Sequence, residues 1–361
     1  MLKSVRLFFR NEPRYFWAVC AILLFHGYFL LGAESFLVKE SGDARTNAVL
    51  ETIESKWENV SDRQGFFLDF EKKDPVTALL FRGVTTLFLV AVMVGMVLNA
   101  FYFSRGSVRA AFNGTLDPPG NGSWPFSVLA KVVILSMLWG IFLSLVMAVF
   151  RAIFPRAMPD DLYTVLHTIS LHIVSLYYIV QFLAAGGSSW RDLGIRIPAR
   201  GDIFREVKAG FLGYVGVLPF FTLTVFLLLV IADLTRYQPP PHPLVNVFLE
   251  KERMPFLFGT SLLLGAVIGP VFEEIFFRGF CYPILRNRWG KFWAAVLSAA
   301  CFAGIHHSGF VFWPIFVLGV ALAYLYEKRR SLIASITLHV AHNTLFIVYF
   351  FLVQRILEDM P

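Results

Sequence analysis

Nine stretches of this chain are apolar over bilayer-like lengths, and they fix the fold class before any motif is considered. The first, YFWAVCAILLFHGYFLLGA, follows a basic start containing Lys3, Arg6, Arg10 and Arg14. The others cover about 84–103, 127–150, 162–184, 208–232, 256–285, 291–305, 310–326 and 332–352. A hydrocarbon core about 30 Å thick is crossed by roughly 20 helical residues, and most of these runs reach that length. The expected fold is therefore all-α, a polytopic transmembrane bundle of eight or nine membrane helices. With 57% hydrophobic and 16% charged residues, the chain is far more apolar than an ordinary globular domain.

Charge sets the expected topology and removes one class of partner. The formal charge of +7 is carried in short loops beside apolar runs, without a Lys/Arg tract interleaved with aromatics. Anionic lipids and the positive-inside rule account for it, and nucleic acid is not expected as a partner. Basic clusters at Arg286, Arg288 and Lys291 and at Lys328, Arg329 and Arg330 place the same side inside as the basic start. The first helix reads as uncleaved, because no small-residue cleavage site closes it. The expected location is a bacterial plasma membrane with the N-terminus in the cytoplasm. Cys20, Cys281 and Cys301 lie in or beside apolar runs without CxxC spacing, which argues against a disulfide framework or thiolate metal site.

Two regions are expected. Residues 1–200 carry N-terminal transmembrane helices and one acid-rich extramembrane loop, 34–76, in which Leu50, Ile53, Trp57 and Val60 suggest a short amphipathic helix. Residues 201–361 carry the polar groups that apolar helices do not need. Glu273-Glu274 and Arg278 interrupt one run, His306 closes the next, and His339 and Asn343 sit within the last.

Ionisable groups inside a membrane are expensive and need partners. Glu274 lies one helical turn before Arg278, so this pair reads as structural. Glu273 points about 100° away from its neighbour and remains available as a general base toward water. His306 can exchange a proton or bind a metal. His339 and Asn343, four residues apart, can offer N–H donors to an oxygen that becomes negative when water adds to an amide carbonyl. Base, imidazole and paired donors describe a hydrolase, and no serine or cysteine has a comparable partner set. His26, His167, His172, His307 and His342 read as packing or interhelical hydrogen-bonding residues. Gly265, Gly269 and Gly279 read as points of close helix approach.

The sequences EEIFFR at 273–278, FAGIH at 302–306 and HVAHN at 339–343 resemble the EExxxR, FxxxH and HxxxN motifs of the CPBP intramembrane proteases. That family includes type II CAAX prenyl endopeptidases (the Rce1 group) and bacteriocin-processing or abortive-infection-like proteins. The resemblance covers about 255–350, with its motifs at 273–343. It implies that Glu273 and His306 activate water, that His339 and Asn343 stabilise the oxyanion, and that Glu274 and Arg278 hold the site together. It also implies a membrane-associated protein or peptide as substrate. The family has been described as metalloproteases, and zinc accepts one carboxylate and two imidazoles, here Glu273, His306 and His339. Water activated without a metal suits the same residues, so both readings stand at this point. The competing class is a non-catalytic scaffold or bacteriocin-immunity-type protein of the same fold. A proton-coupled transporter is disfavoured because the sequence has no internal repeat.

Overall fold

The computed structural model describes residues 8–32, 63–104, 124–154, 160–188, 190–195, 200–237, 255–306 and 309–359. Every regular element among them is helical. They are α1 (Pro13–Gly32), α2 (Arg63–Lys73), α3 (Pro75–Ser104), α4 (Phe126–Ile153), α5 (Asp160–Ala185), α6 (Arg200–Thr235), α7 (Pro255–Leu263), α8 (Gly269–Glu274), α9 (Tyr282–Gly304), α10 (Gly309–Arg329) and α11 (Leu332–Glu358). Among the described residues, seven helical spans are long and apolar enough to cross a membrane, and Pro13–Leu24 forms a shorter apolar helix. The protein is an integral, multi-spanning all-α membrane protein.

The count of seven differs from the eight or nine runs read from sequence because two runs merge. Phe258–Gly304 is one span of 47 residues. At about 1.5 Å per residue a straight helix of that length would be roughly 70 Å long, over twice the hydrocarbon thickness. Gly290 resolves this with a left-handed φ of 78°, breaking α9 between its two halves. The end of the expected 34–76 loop is also helical. Asp74 accepts from the Thr77 backbone N–H at 3.1 Å and opens α3 directly after α2. The amphipathic positions 50, 53, 57 and 60 lie outside the described residues.

Helix α6 is central, packing against α3, α10 and α11, while α9 pairs with α10 and α4 with α5. Close backbone approach makes these contacts. A Cβ on Gly210 would lie 2.5 Å from Thr337 Cβ and 2.6 Å from the Ala334 carbonyl, so α6 and α11 meet without side chains between them. Hydrogen bonds across the seam between α4 and α5 fix their rotation: Trp139 Nε1 donates to Ser170 Oγ at 3.0 Å and Ser175 to Ser136 at 2.9 Å. The core runs through Phe280, Tyr282, Ala294 and Tyr326 on one side and Leu218, Phe302, Leu322 and Leu338 on the other. Large apolar residues such as Leu79, Leu87 and Met93 stay exposed on α3, as expected where the solvent is lipid.

Candidate active site

The site begins with an irregularity in winding. Between α7 and α8, Leu264–Ile268 forms a π-helical turn, and Ile275–Cys281 forms a second one after α8. The Gly269 N–H therefore bonds to the Leu264 carbonyl, five residues back. The next such bond would run from residue 270 to Gly265, but Pro270 has no N–H. Asn343 takes its place, donating from Nδ2 to the Gly265 carbonyl at 2.8 Å. Glu273 and Glu274 thus stand on a six-residue α-helical piece between two wide turns, a setting common at functional sites.

The Glu274 carboxylate is fully buried and organises the interior. Its Oε1 accepts from Arg278 Nη1 at 2.7 Å and lies 3.1 Å from Nδ1 of His339. Arg278, also fully buried, donates from Nη2 to the Gly319 carbonyl at 3.0 Å, and its guanidinium carbon lies 4.6 Å from the centre of the Phe302 ring. Gly319 presses on Ala299, which brings α10 close enough for its carbonyl to be used. The guanidinium thereby cancels the Glu274 charge and ties three helical segments together.

Glu273 differs from its neighbour. Its side chain keeps 20% of its surface exposed, and its Oε2 lies 3.7 Å from His339 Nε2. His339 therefore stands between adjacent carboxylates, with one nitrogen on each. With Nδ1 donating to Glu274, Nε2 is the ring atom left facing Glu273 and the open part of the site. This buried Glu274–His339 pair, with Glu273 beside it, is a Glu/His arrangement suited to activating water.

The remaining expected residues lie close by but are engaged differently. His306 Nδ1 is 2.9 Å from the Phe302 carbonyl, and the Phe302 ring packs edge-on against both His306, at 5.3 Å, and His339, at 5.4 Å. Asn343 has committed one amide N–H to Gly265, leaving the other available. The zinc expectation at Glu273, His306 and His339 is corrected here. Among the described residues, no three His, Cys, Asp or Glu side chains gather closely enough to hold a metal ion. The physical reason is visible: Phe302 packs against both imidazoles, and Glu274 occupies Nδ1 of His339. The catalytic groups form a Glu/His pair rather than a metal site.

Several contributors carry no sequence signal of their own. Phe302 shapes the site although it reads only as an apolar motif position. Gly265 acts through its carbonyl. A second buried charge cluster lies nearer the basic ends, where Glu327 accepts from Arg286 Nε at 2.9 Å and from Tyr282 at 3.1 Å, with Lys291 at 3.5 Å. The excess of bases in these loops hid that acid. His342, next to the motif, packs between Phe221 and Phe346, each with a ring distance of 4.8 Å, and belongs to the core.

Residues 255–345 match the family described as type II CAAX prenyl endopeptidase, Rce1-like. Over that segment the chain belongs to this family. The match ends two residues beyond Asn343, so it contains every motif residue above. The chain is 33% identical over 113 residues to UPF0177 protein YaiF of Lactococcus lactis subsp. lactis (strain IL1403), covering 30% of this chain and 49% of that protein. It is 26% identical over 88 residues to YdiL, a candidate membrane peptidase of Bacillus subtilis (strain 168), covering 24% of this chain and 36% of the relative. The chain thus spans about half or less of the length of these curated relatives. No solved structure matches it.

Proposed function

We propose that the chain is an intramembrane endopeptidase of CPBP type, hydrolysing a peptide bond of a membrane-associated protein or peptide. The observation that carries this reading is His339 held between Glu274 and the partly exposed Glu273 inside an Rce1-like segment. Glu273 takes a proton from water, and the resulting hydroxide adds to the substrate carbonyl. His306 assists at the water, while His339 and Asn343 face the oxyanion. Glu274 and Arg278 hold these groups in register. The name of YdiL points to the same class of chemistry.

The protease core is assigned to 201–361, because α6 packs directly on α11 and α10, and 1–200 supplies flanking helices. Counting the bent Phe258–Gly304 span as two crossings and adding α1 gives nine. The N-terminus is then cytoplasmic in a bacterial plasma membrane, with anionic lipids against the inner basic clusters. The decisive experiment compares protein termini in membrane fractions from cells carrying the intact protein or Glu273→Gln. Termini formed only with the intact protein name the substrate, whereas identical sets reject the reading.

A further inference from the structure

Helix α5 lies outside the Rce1-like segment, yet it packs against α8, the piece that bears Glu273 and Glu274. The residue it brings there is His172. Its imidazole stacks on Phe272, with ring centres 5.3 Å apart and planes inclined by 20°. Phe272 immediately precedes Glu273, and the Glu273 carboxylate lies within electrostatic reach of the His172 ring.

The rotation of α5 makes this placement firm. Ser170 accepts from Trp139, the Tyr163 hydroxyl lies 3.3 Å from that of Ser144, and His167 Nε2 lies 3.4 Å from the Gly140 carbonyl. These three residues follow helical spacing and turn one face of α5 toward α4. His172 is two residues beyond Ser170, about 200° around the helix, and so belongs to the other side. Its Nδ1 is buried without a hydrogen-bond partner among the described residues. Leaving a buried polar nitrogen unmatched is unfavourable, and a packing role would be filled equally well by an apolar ring.

We propose that His172 is a positioning residue for the water that Glu273 deprotonates, a role that rests on the endopeptidase reading above. The stack on Phe272 holds the imidazole beside Glu273, and Nδ1 accepts one hydrogen bond from that water. The water gives its other proton to the Glu273 carboxylate as its oxygen adds to the substrate carbonyl carbon. His172 gains and loses no proton in the step; it fixes the direction of the attacking lone pair. The site therefore extends beyond the family segment, and α5 is part of the working unit.

The test uses the full chain and two conservative variants. His172→Phe preserves the stack and removes the nitrogen, whereas His172→Asn returns a hydrogen-bonding group near the Nδ1 position. Formation of new protein termini in membrane fractions is followed over time at matched protein level, with Glu273→Gln as the inactive reference. His172→Phe should slow cleavage by about 10- to 100-fold, the scale of a misoriented reactant, with an unchanged melting temperature, and His172→Asn should recover part of the rate. In 15N-histidine spectra of the purified protein, the His172 signal should move in Glu273→Gln. Wild-type cleavage by His172→Phe, or a His172 signal indifferent to Glu273, overturns the proposal and leaves the endopeptidase reading standing. If wild type and Glu273→Gln yield the same termini, the endopeptidase reading itself fails and the proposal falls with it.

Discussion

His339 Nδ1 lies 3.1 Å from Glu274 Oε1, the same oxygen that receives Arg278 at 2.7 Å. One carboxylate oxygen thus orients an imidazole and neutralises a guanidinium, and both partners lose their reference if it changes. Glu274→Gln is expected to leave Arg278 as a buried cation without a counter-ion, destabilising the fold by about 3–5 kcal/mol. Thermal unfolding in detergent checks this, and an unchanged midpoint removes Glu274 from the structural role.

Glu273→Gln should behave in the opposite way. This side chain is one-fifth exposed and has no arginine in contact, so stability should stay within about 0.5 kcal/mol of wild type. The amide cannot take a proton from water, and cleavage should disappear. A folded Glu273→Gln protein that still generates the wild-type set of termini rejects the base assignment.

Asn343→Ala should have two separable effects. Loss of the donor to the Gly265 carbonyl is expected to lower stability by about 1 kcal/mol. Loss of the second amide N–H from the oxyanion position should lower the catalytic rate by about 100- to 1,000-fold with substrate affinity nearly unchanged. Kinetics on a substrate identified from its termini, alongside a melting curve, separates the two. An intact rate with weaker affinity moves Asn343 to substrate binding.

Gly279 supplies a test of packing beneath the site. A Cβ there would lie 2.8 Å from the Leu193 carbonyl, so Gly279→Ala must displace the turn Trp190–Leu193 or the π-turn that contains Gly279. A loss of about 1–3 kcal/mol is expected. Gly259→Ala in α7 is the control, since nothing lies within 4 Å of the added carbon. Equal melting temperatures for the two variants contradict the close contact.

The helical class, the motif residues and the Glu274–Arg278 pair were legible because each depends on short spacing. Four residues on a helix bring side chains together whatever surrounds them. The hydrogen bond from Asn343 to Gly265 joins residues 78 positions apart, and no local pattern announces it. Wide turns are equally silent, since their apolar residues satisfy an ordinary helical periodicity. Zinc was suggested by counting ligand types, but types do not disclose that Phe302 packs against both histidines. The role of Glu327 was masked by a simple electrostatic effect: three bases nearby make the region look basic even though an acid lies at its centre. His172 read as one of several membrane histidines until the rotation of α5 distinguished it from His167.

The two π-turns also set how the chain can change length. A wide turn is an α-helix with one residue added, and removing that residue restores regular winding while rotating everything beyond it by about 100°. Deleting one position within Leu264–Ile268 would keep a continuous helix yet swing Glu274 away from His339. The segment from Gly265 to Arg278 is therefore a ruler. Homologues can vary its side chains through conservative exchange, but a single-residue insertion or deletion there disconnects the site unless the opposite turn shifts by one residue to compensate.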